Sequence, residues 1–115
     1  MNKFKELKVW SKSIDLVVKI YHITQSFPKE ETYGLISQIR RAASSIPSNI
    51  AEGAGRMSSG DFKHFLNVAR GSAFELETQL IIADKLDYAV SDFDDLITEL
   101  NEIQKMITGL QKSLD

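Results

Sequence analysis

Three features of the 115-residue sequence predict an all-α fold, an up-down-up-down antiparallel four-helix bundle. Apolar residues recur three and four positions apart through four segments of about 20 residues, the pattern of helices that bury one side. Those segments, about 5–27, 33–56, 59–86 and 92–113, are separated by short breaks around Pro28 and Gly60 and before the last helix, and short links favour antiparallel neighbours. No alternating strand pattern, Asn-Gly hairpin, internal repeat or low-complexity stretch competes with this reading. At this length one domain, residues 1–115, is expected.

In the first helix Leu7, Trp10, Ile14, Val17 and Tyr21 form one stripe, and Leu16, Ile20, Ile23 and Phe27 an adjacent one. A helix this broadly apolar needs cover on more than one side. Phe27-Pro28 ends it, because the residue before proline is pushed out of the helical region. The third helix opens at Ser58 or Ser59, with Asp61 placed to complete a capping box from Ser58. Its seam is Phe62, Leu66, Ala69, Ala73, Leu76, Leu80 and Ala83, large residues interspersed with alanine as close helix packing requires. The fourth carries a second capping-box pattern, Ser91 with Asp94, and the most regular seam: Phe93, Leu96, Leu100, Ile103, Ile107, Leu110 and Leu114. Lys105 and Lys112 lie toward its C-terminal end, the favourable side of the helix dipole.

The second helix has two faces of different character. Ile39, Ala43, Ile46, Ile50 and Ala54 line its apolar side. Arg41, Ser45, Ser48, Glu52 and Arg56 recur on another side, with Arg40 and Asn49 beside them. A merely solvated face fills with Lys, Glu and Gln, whereas Ser and Asn lower helix propensity, and Pro47 removes a backbone donor and predicts a bend. The polar stripe therefore implies a specific contact, either within the bundle, between subunits or with a ligand.

Composition narrows the function classes. Without cysteine there is no disulfide, thiolate metal site or cysteine nucleophile, and a cytoplasmic home is the expectation. No apolar run approaches the roughly 20 residues that span a bilayer. The charged start, Met-Asn-Lys-Phe-Lys-Glu-Leu-Lys, leads into an amphipathic helix, not an apolar signal core. The net charge of −2 conceals an asymmetry: residues 1–57 hold nine Lys and Arg against five acids, residues 58–115 five against eleven. A basic half can meet an acidic half of a neighbouring subunit, or nucleic acid. The pI near 5.7 argues against the latter.

Enzymatic chemistry finds little support. Asp61 and His64 are three apart, in the exposed first turn of the third helix, and His22 is on another helix; the paired Glu-x-x-His motifs of a di-iron bundle are missing. Gly53-Ala54-Gly55 follows a helix, lacks a Gly-Lys-Ser/Thr ending and reads as a helix terminus, not a phosphate loop. Ser44, Ser45 and Ser48 have no evident base nearby in sequence. The expectation is a non-enzyme with no cofactor, metal or small-molecule substrate. Arg70, Glu75, Glu77 and Gln79 of the third helix are polar near a bundle's middle. A structural reading pairs those acids with Arg40, Arg41 or Arg56, inside a subunit or across an interface, as the arginine fork suits a carboxylate. A functional reading makes Arg40, Arg41, Arg56 and Arg70 phosphate contacts.

Phe4-Lys5-Glu6-Leu7-Lys8-Val9-Trp10, Ser37-Gln38-Ile39-Arg40-Arg41-Ala42, Ser45-Ile46-Pro47-Ser48-Asn49-Ile50-Ala51-Glu52-Gly53, and Gly71-Ser72 leading into Glu75-Leu76-Glu77-Thr78-Gln79-Leu80 resemble the four-helix-bundle family encoded in 23S ribosomal RNA intervening sequences. The resemblance implies a ring-like homo-oligomer, pentameric in relatives. A more distant cousin, the accessory protein of diversity-generating retroelements, uses a basic surface toward nucleic acid and the reverse transcriptase. Two expectations follow. In the first, a self-associating scaffold uses Gln38, Arg41, Ser45, Ser48, Asn49, Glu52, Glu75, Glu77 and Gln79 as a polar interface. In the second, RNA or DNA, or a protein associated with it, meets Lys3, Lys5, Lys8, Lys12, Arg40, Arg41, Arg56 and Arg70.

Overall fold

The computed structural model describes residues 3–88 and 90–115. Four α-helices account for most of them: α1 (Lys8–Thr24), α2 (Leu35–Ala54), α3 (Ser59–Lys85) and α4 (Phe93–Ser113). Short 3-10 turns at Phe4–Glu6 and Lys29–Glu31 precede α1 and α2, and no strand occurs among the described residues. α2 packs most extensively on α3, and α1 on α2, α3 on α4 and α4 on α1 complete a cycle. The bundle measures 43 × 24 × 19 Å.

The core is one continuous cluster fed by all four helices. The α3 seam is buried from Leu66 to Ala83, and α4 buries Leu96, Leu100, Ile103 and Ile107. In α2, Ile39, Ala43, Ile46 and Ile50 are buried as their spacing predicts, joined by Ile36, Ala42, Pro47 and Gly53. α2 runs unbroken through Pro47, whose ring is buried in the core. Its missing N–H leaves the Ala43 carbonyl without the usual helical donor.

α1 departs furthest from expectation. It starts at Lys8, not near residue 5, and stops at Thr24, before Phe27. Its buried stripe is Val9, Ser13, Leu16, Ile20 and Thr24, continued by Phe27. The expected Trp10–Ile14–Val17–Tyr21 stripe is only half covered, and Tyr21 is exposed. Two hydroxyl residues enter the core because each satisfies itself locally: Ser13 Oγ donates to the Trp10 carbonyl at 2.7 Å, and Thr24 Oγ1 to the Ile20 carbonyl at 2.8 Å.

The helix ends bring further corrections. α2 begins at Leu35 and ends at Ala54, two residues inside the expected limits at each end. Ser58 caps α3, its Oγ accepting from the Asp61 N–H at 3.1 Å. The second capping box does not form. Asp92, not Ser91, occupies the N-cap of α4, in the left-handed region at φ 53° and with no side-chain cap bond. At the other end of that connection α3 closes with two bonds, Asp87 N–H to the Asp84 carbonyl and Tyr88 N–H to the Ala83 carbonyl. This is a Schellman closure that places Asp87 in the left-handed region at φ 59°.

Candidate polar interface

The stripe of short polar side chains on α2 lies beside α3 and converges with it at one place. Ser45 Oγ and Ser72 Oγ are 2.9 Å apart, and Asn49 Nδ2 donates to both the Ser45 carbonyl (2.8 Å) and Ser45 Oγ (2.9 Å). Ser45 can thus accept from Asn49 while its own hydrogen turns to Ser72. Next to this knot is a recess of about 260 Å³ lined by Gln38, Arg41, Ala42, Ser45, Glu75 and Gln79. Four of the residues expected at a polar interface on sequence grounds, besides Ser45, meet here: Gln38, Arg41, Glu75 and Gln79.

The recess is polar and incompletely satisfied. Gln79 is only 7% exposed, and its Oε1 has no hydrogen-bond partner among the described residues. An amide oxygen buried in that state costs about 1–3 kcal/mol. Arg41 and Glu75 are exposed at the recess and make no ion pair or side-chain hydrogen bond among the described residues. The expected pairing of α2 arginines with α3 acids is therefore absent within the subunit. Arg40 points to α1, with Nε on Thr24 Oγ1 (2.9 Å), Nη2 on the Tyr21 carbonyl (3.2 Å) and its guanidinium 4.5 Å from the Tyr21 ring centre. Arg56, just beyond the end of α2, pairs with Glu52 of that helix at 3.4 Å and lies over Phe65. Glu77 faces α4, accepting from Gln104 Nε2 at 3.3 Å, and does not line the recess. Ser48 is exposed farther along α2.

The residues proposed for nucleic acid do not form one surface. Lys12 pairs with Glu102 of α4 at 3.1 Å, Arg40 is committed to α1, and Arg70 sits over Phe74 on α3. Lys3, Lys5 and Lys8 are exposed around the start of α1. Lys19, outside that set, binds Glu99 at 2.7 Å, which raises its pKa.

Sequence reasoning missed the outer face of α3, beside the recess. Val68 (40% exposed), Gly71, Glu75, Thr78, Ile82 (44%) and Leu86 follow one another three or four residues apart on its solvent side. An added Cβ at Gly71 would meet nothing within 4 Å. Glycine in mid-helix costs about 1 kcal/mol relative to alanine, and nothing inside the subunit requires it here. Gly53 is the opposite case. A Cβ there would sit 2.8 Å from Phe65 Cβ and 2.9 Å from Phe62 Cδ1, so this glycine lets α2 and α3 touch. It is a packing residue in the last turn of α2, which ends at Ala54 as the expected helix terminus.

Among the described residues no helix is long and apolar enough to cross a membrane. No curated protein matches the chain significantly. A solved structure from Bacteroides thetaiotaomicron VPI-5482, described as a protein of unknown function from the S23 ribosomal protein family, is similar at 27% identity and a TM-score of 0.82, over 90% of this chain and 95% of its own. The 23S rRNA-intervening sequence protein family matches residues 5–109, the span of the recess, the Gly53 contact and all but the end of α4. The chain belongs to the 23S rRNA-intervening sequence protein family.

Proposed function

We propose that the chain is a non-enzymatic homo-oligomer of the cytoplasm whose subunits join through the α2–α3 face, forming a scaffold or interaction module. The observation that carries this reading is the recess around Gln79: a buried acceptor without a donor, rimmed by an unpaired arginine and an unpaired glutamate. A neighbouring subunit supplies what is missing. Its donor meets Gln79 Oε1, its carboxylate meets Arg41 and its cation meets Glu75, while the adjacent Val68–Ile82 stripe contributes apolar area. Buried polar groups are retained where they fix register between partners.

The helices are read as up-down-up-down. Support comes from contacts in which later positions on one helix meet earlier positions on the next: Ser45 with Ser72 but Gly53 with Phe62, and Lys12 with Glu102 but Lys19 with Glu99. A closed ring follows if successive copies use the same unlike pair of surfaces, and the family resemblance favours five. Nucleic-acid binding by the basic N-terminal half has less geometric support, because Lys12 and Arg40 are already engaged.

Sedimentation of Arg41→Ala tests the proposal. The substitution is expected to lower the assembly mass at micromolar concentration while leaving the subunit's thermal midpoint unchanged. An unaltered mass would remove Arg41 from the interface. An interface of this kind buries over roughly 1,000 Å² in total.

A further inference from the structure

On the side of α3 that faces α4 the molecule carries a second groove of about 430 Å³, and its chemistry differs from that of the recess. Arg70 and Phe74 form one wall, and Gln104, Lys105, Thr108 and Lys112 the other. The acidic half of the chain has five basic residues, Lys63, Arg70, Lys85, Lys105 and Lys112, and three of them line this groove while no acid does. Lys105, Lys112 and Arg70 make no ion pair among the described residues, and the Arg70 guanidinium lies over the Phe74 ring, 5.8 Å from its centre. Glu77, which is not part of the lining, fixes Gln104 by accepting its Nε2 at 3.3 Å.

Phe74 is the second feature. It is 49% exposed, an aromatic face left in water in a protein with ample core to hold it. Lys105 and Lys112 are seven residues apart on one face of α4, about 10 Å along the axis. Side-chain amides at Asn101 and Gln104 add donors and acceptors to the lining. Gly109 leaves the α4 backbone open, since a Cβ there would meet nothing within 4 Å.

We infer that the α3–α4 groove binds a short stretch of single-stranded nucleic acid: Arg70, Lys105 and Lys112 neutralise phosphates and Phe74 stacks on a base. Cations alone would suit any polyanion. An exposed ring beside them selects a ligand with flat aromatic groups interspersed with phosphates, the combination used for single strands. An acidic peptide would use the cations but leave Phe74 and the amides without a role. The site lies on the α4 side of α3, away from the α2–α3 recess, and does not rest on the assembly reading.

The test is fluorescence anisotropy of the intact protein with a labelled oligoadenylate of about 12 nucleotides, titrated across salt. Three phosphate contacts predict a log–log salt slope of about −2, falling to about −0.7 in Lys105→Gln/Lys112→Gln. Phe74→Leu keeps the charge and most of the apolar bulk, and is expected to weaken binding roughly 5- to 150-fold, the loss of one stacked base. Absence of binding at low salt would overturn the inference. So would binding that survives Lys105→Gln/Lys112→Gln yet is lost on replacing Lys3, Lys5 and Lys8. Equal affinity of Phe74→Leu, with inorganic polyphosphate competing charge for charge, would reduce the groove to a general polyanion surface and overturn it as well.

Discussion

Glu31 and Tyr88 show how single side chains hold the ends of this bundle together. The Tyr88 hydroxyl donates to Glu31 Oε2 at 2.6 Å, and the Leu35 N–H donates to Glu31 Oε1 at 3.1 Å. One carboxylate thus caps α2 and ties the turn before it to the connection after α3, where Tyr88 also packs on Phe27 at 5.4 Å. The Tyr88 hydroxyl, and then the Leu35 N–H, hold the Glu31 carboxyl below its ordinary range. Its folded value lies under its unfolded one, so the contact stabilises above the ordinary glutamate pKa and is lost as pH falls through the lowered value. Tyr88 moves the other way. The hydrogen bond to Glu31, followed by desolvation, raises its pKa, so its contribution is full below the ordinary tyrosine value and disappears as pH rises through the raised one. Tyr88→Phe is expected to lower the urea midpoint near pH 7, by a deficit that shrinks as pH falls through the lowered Glu31 value. A deficit that stays constant over that range would show that Tyr88 contributes packing alone. Gly53 allows a simpler test. Gly53→Ala forces a methyl against Phe62 and Phe65, and is expected to cost about 1–3 kcal/mol in urea unfolding. A neutral or stabilising result would mean that the α2–α3 approach relaxes freely.

Among the helices, the inward sides of α3 and α4 were legible from periodicity, and that of α1 only in part, through Leu16, Ile20 and Phe27 of its second stripe. The α3 and α4 seams carry large or small apolar groups at nearly every buried position, so spacing alone identified the inward side. In α1 the buried stripe includes Ser13 and Thr24, and the exposed side carries Val18 and Tyr21, which blurs the contrast that periodicity detects. The end of α3 was illegible for a related reason. A Schellman closure usually announces itself by glycine, and here Asp87 takes the left-handed position. Asp87→Gly is therefore expected to stabilise the fold by about 0.5–1 kcal/mol, read as a higher thermal midpoint. No change would mean that the Asp87 side chain offsets its own strain. The polar recess was half legible. Ser and Asn against helix propensity marked α2, and Gln79 was expected beside it, but the partner Ser72 and the apolar outer face of α3 needed the fold to bring them alongside. Gly71 separates subunit stability from assembly. Gly71→Ala adds about 1 kcal/mol of helix propensity at an unobstructed position. It is expected to raise the midpoint of the isolated subunit and to lower the mass of the assembly, and gains in both would exclude Gly71 from the interface.

The charge asymmetry between the two halves of the chain is partly consumed inside the bundle. Lys12 with Glu102 and Lys19 with Glu99 join the basic first helix to the acidic last one, each worth little on a solvated surface. Among the charges left unpaired are those of the Arg41–Glu75 recess and the Arg70–Lys105–Lys112 groove, on opposite flanks of α3. These two surfaces divide the proposed roles, one joining subunits and the other meeting a ligand. Assembly is the claim on which the reading of α2 depends, and absolute mass decides it. Light scattering behind a sizing column, at micromolar concentration and at low and high salt, is expected to give a salt-resistant multiple of the 13.0 kDa subunit, about five-fold, with no nucleic-acid absorbance at high salt. A 13.0 kDa species under both conditions would contradict the account and leave Gln79, Arg41 and Glu75 without the partner proposed for them.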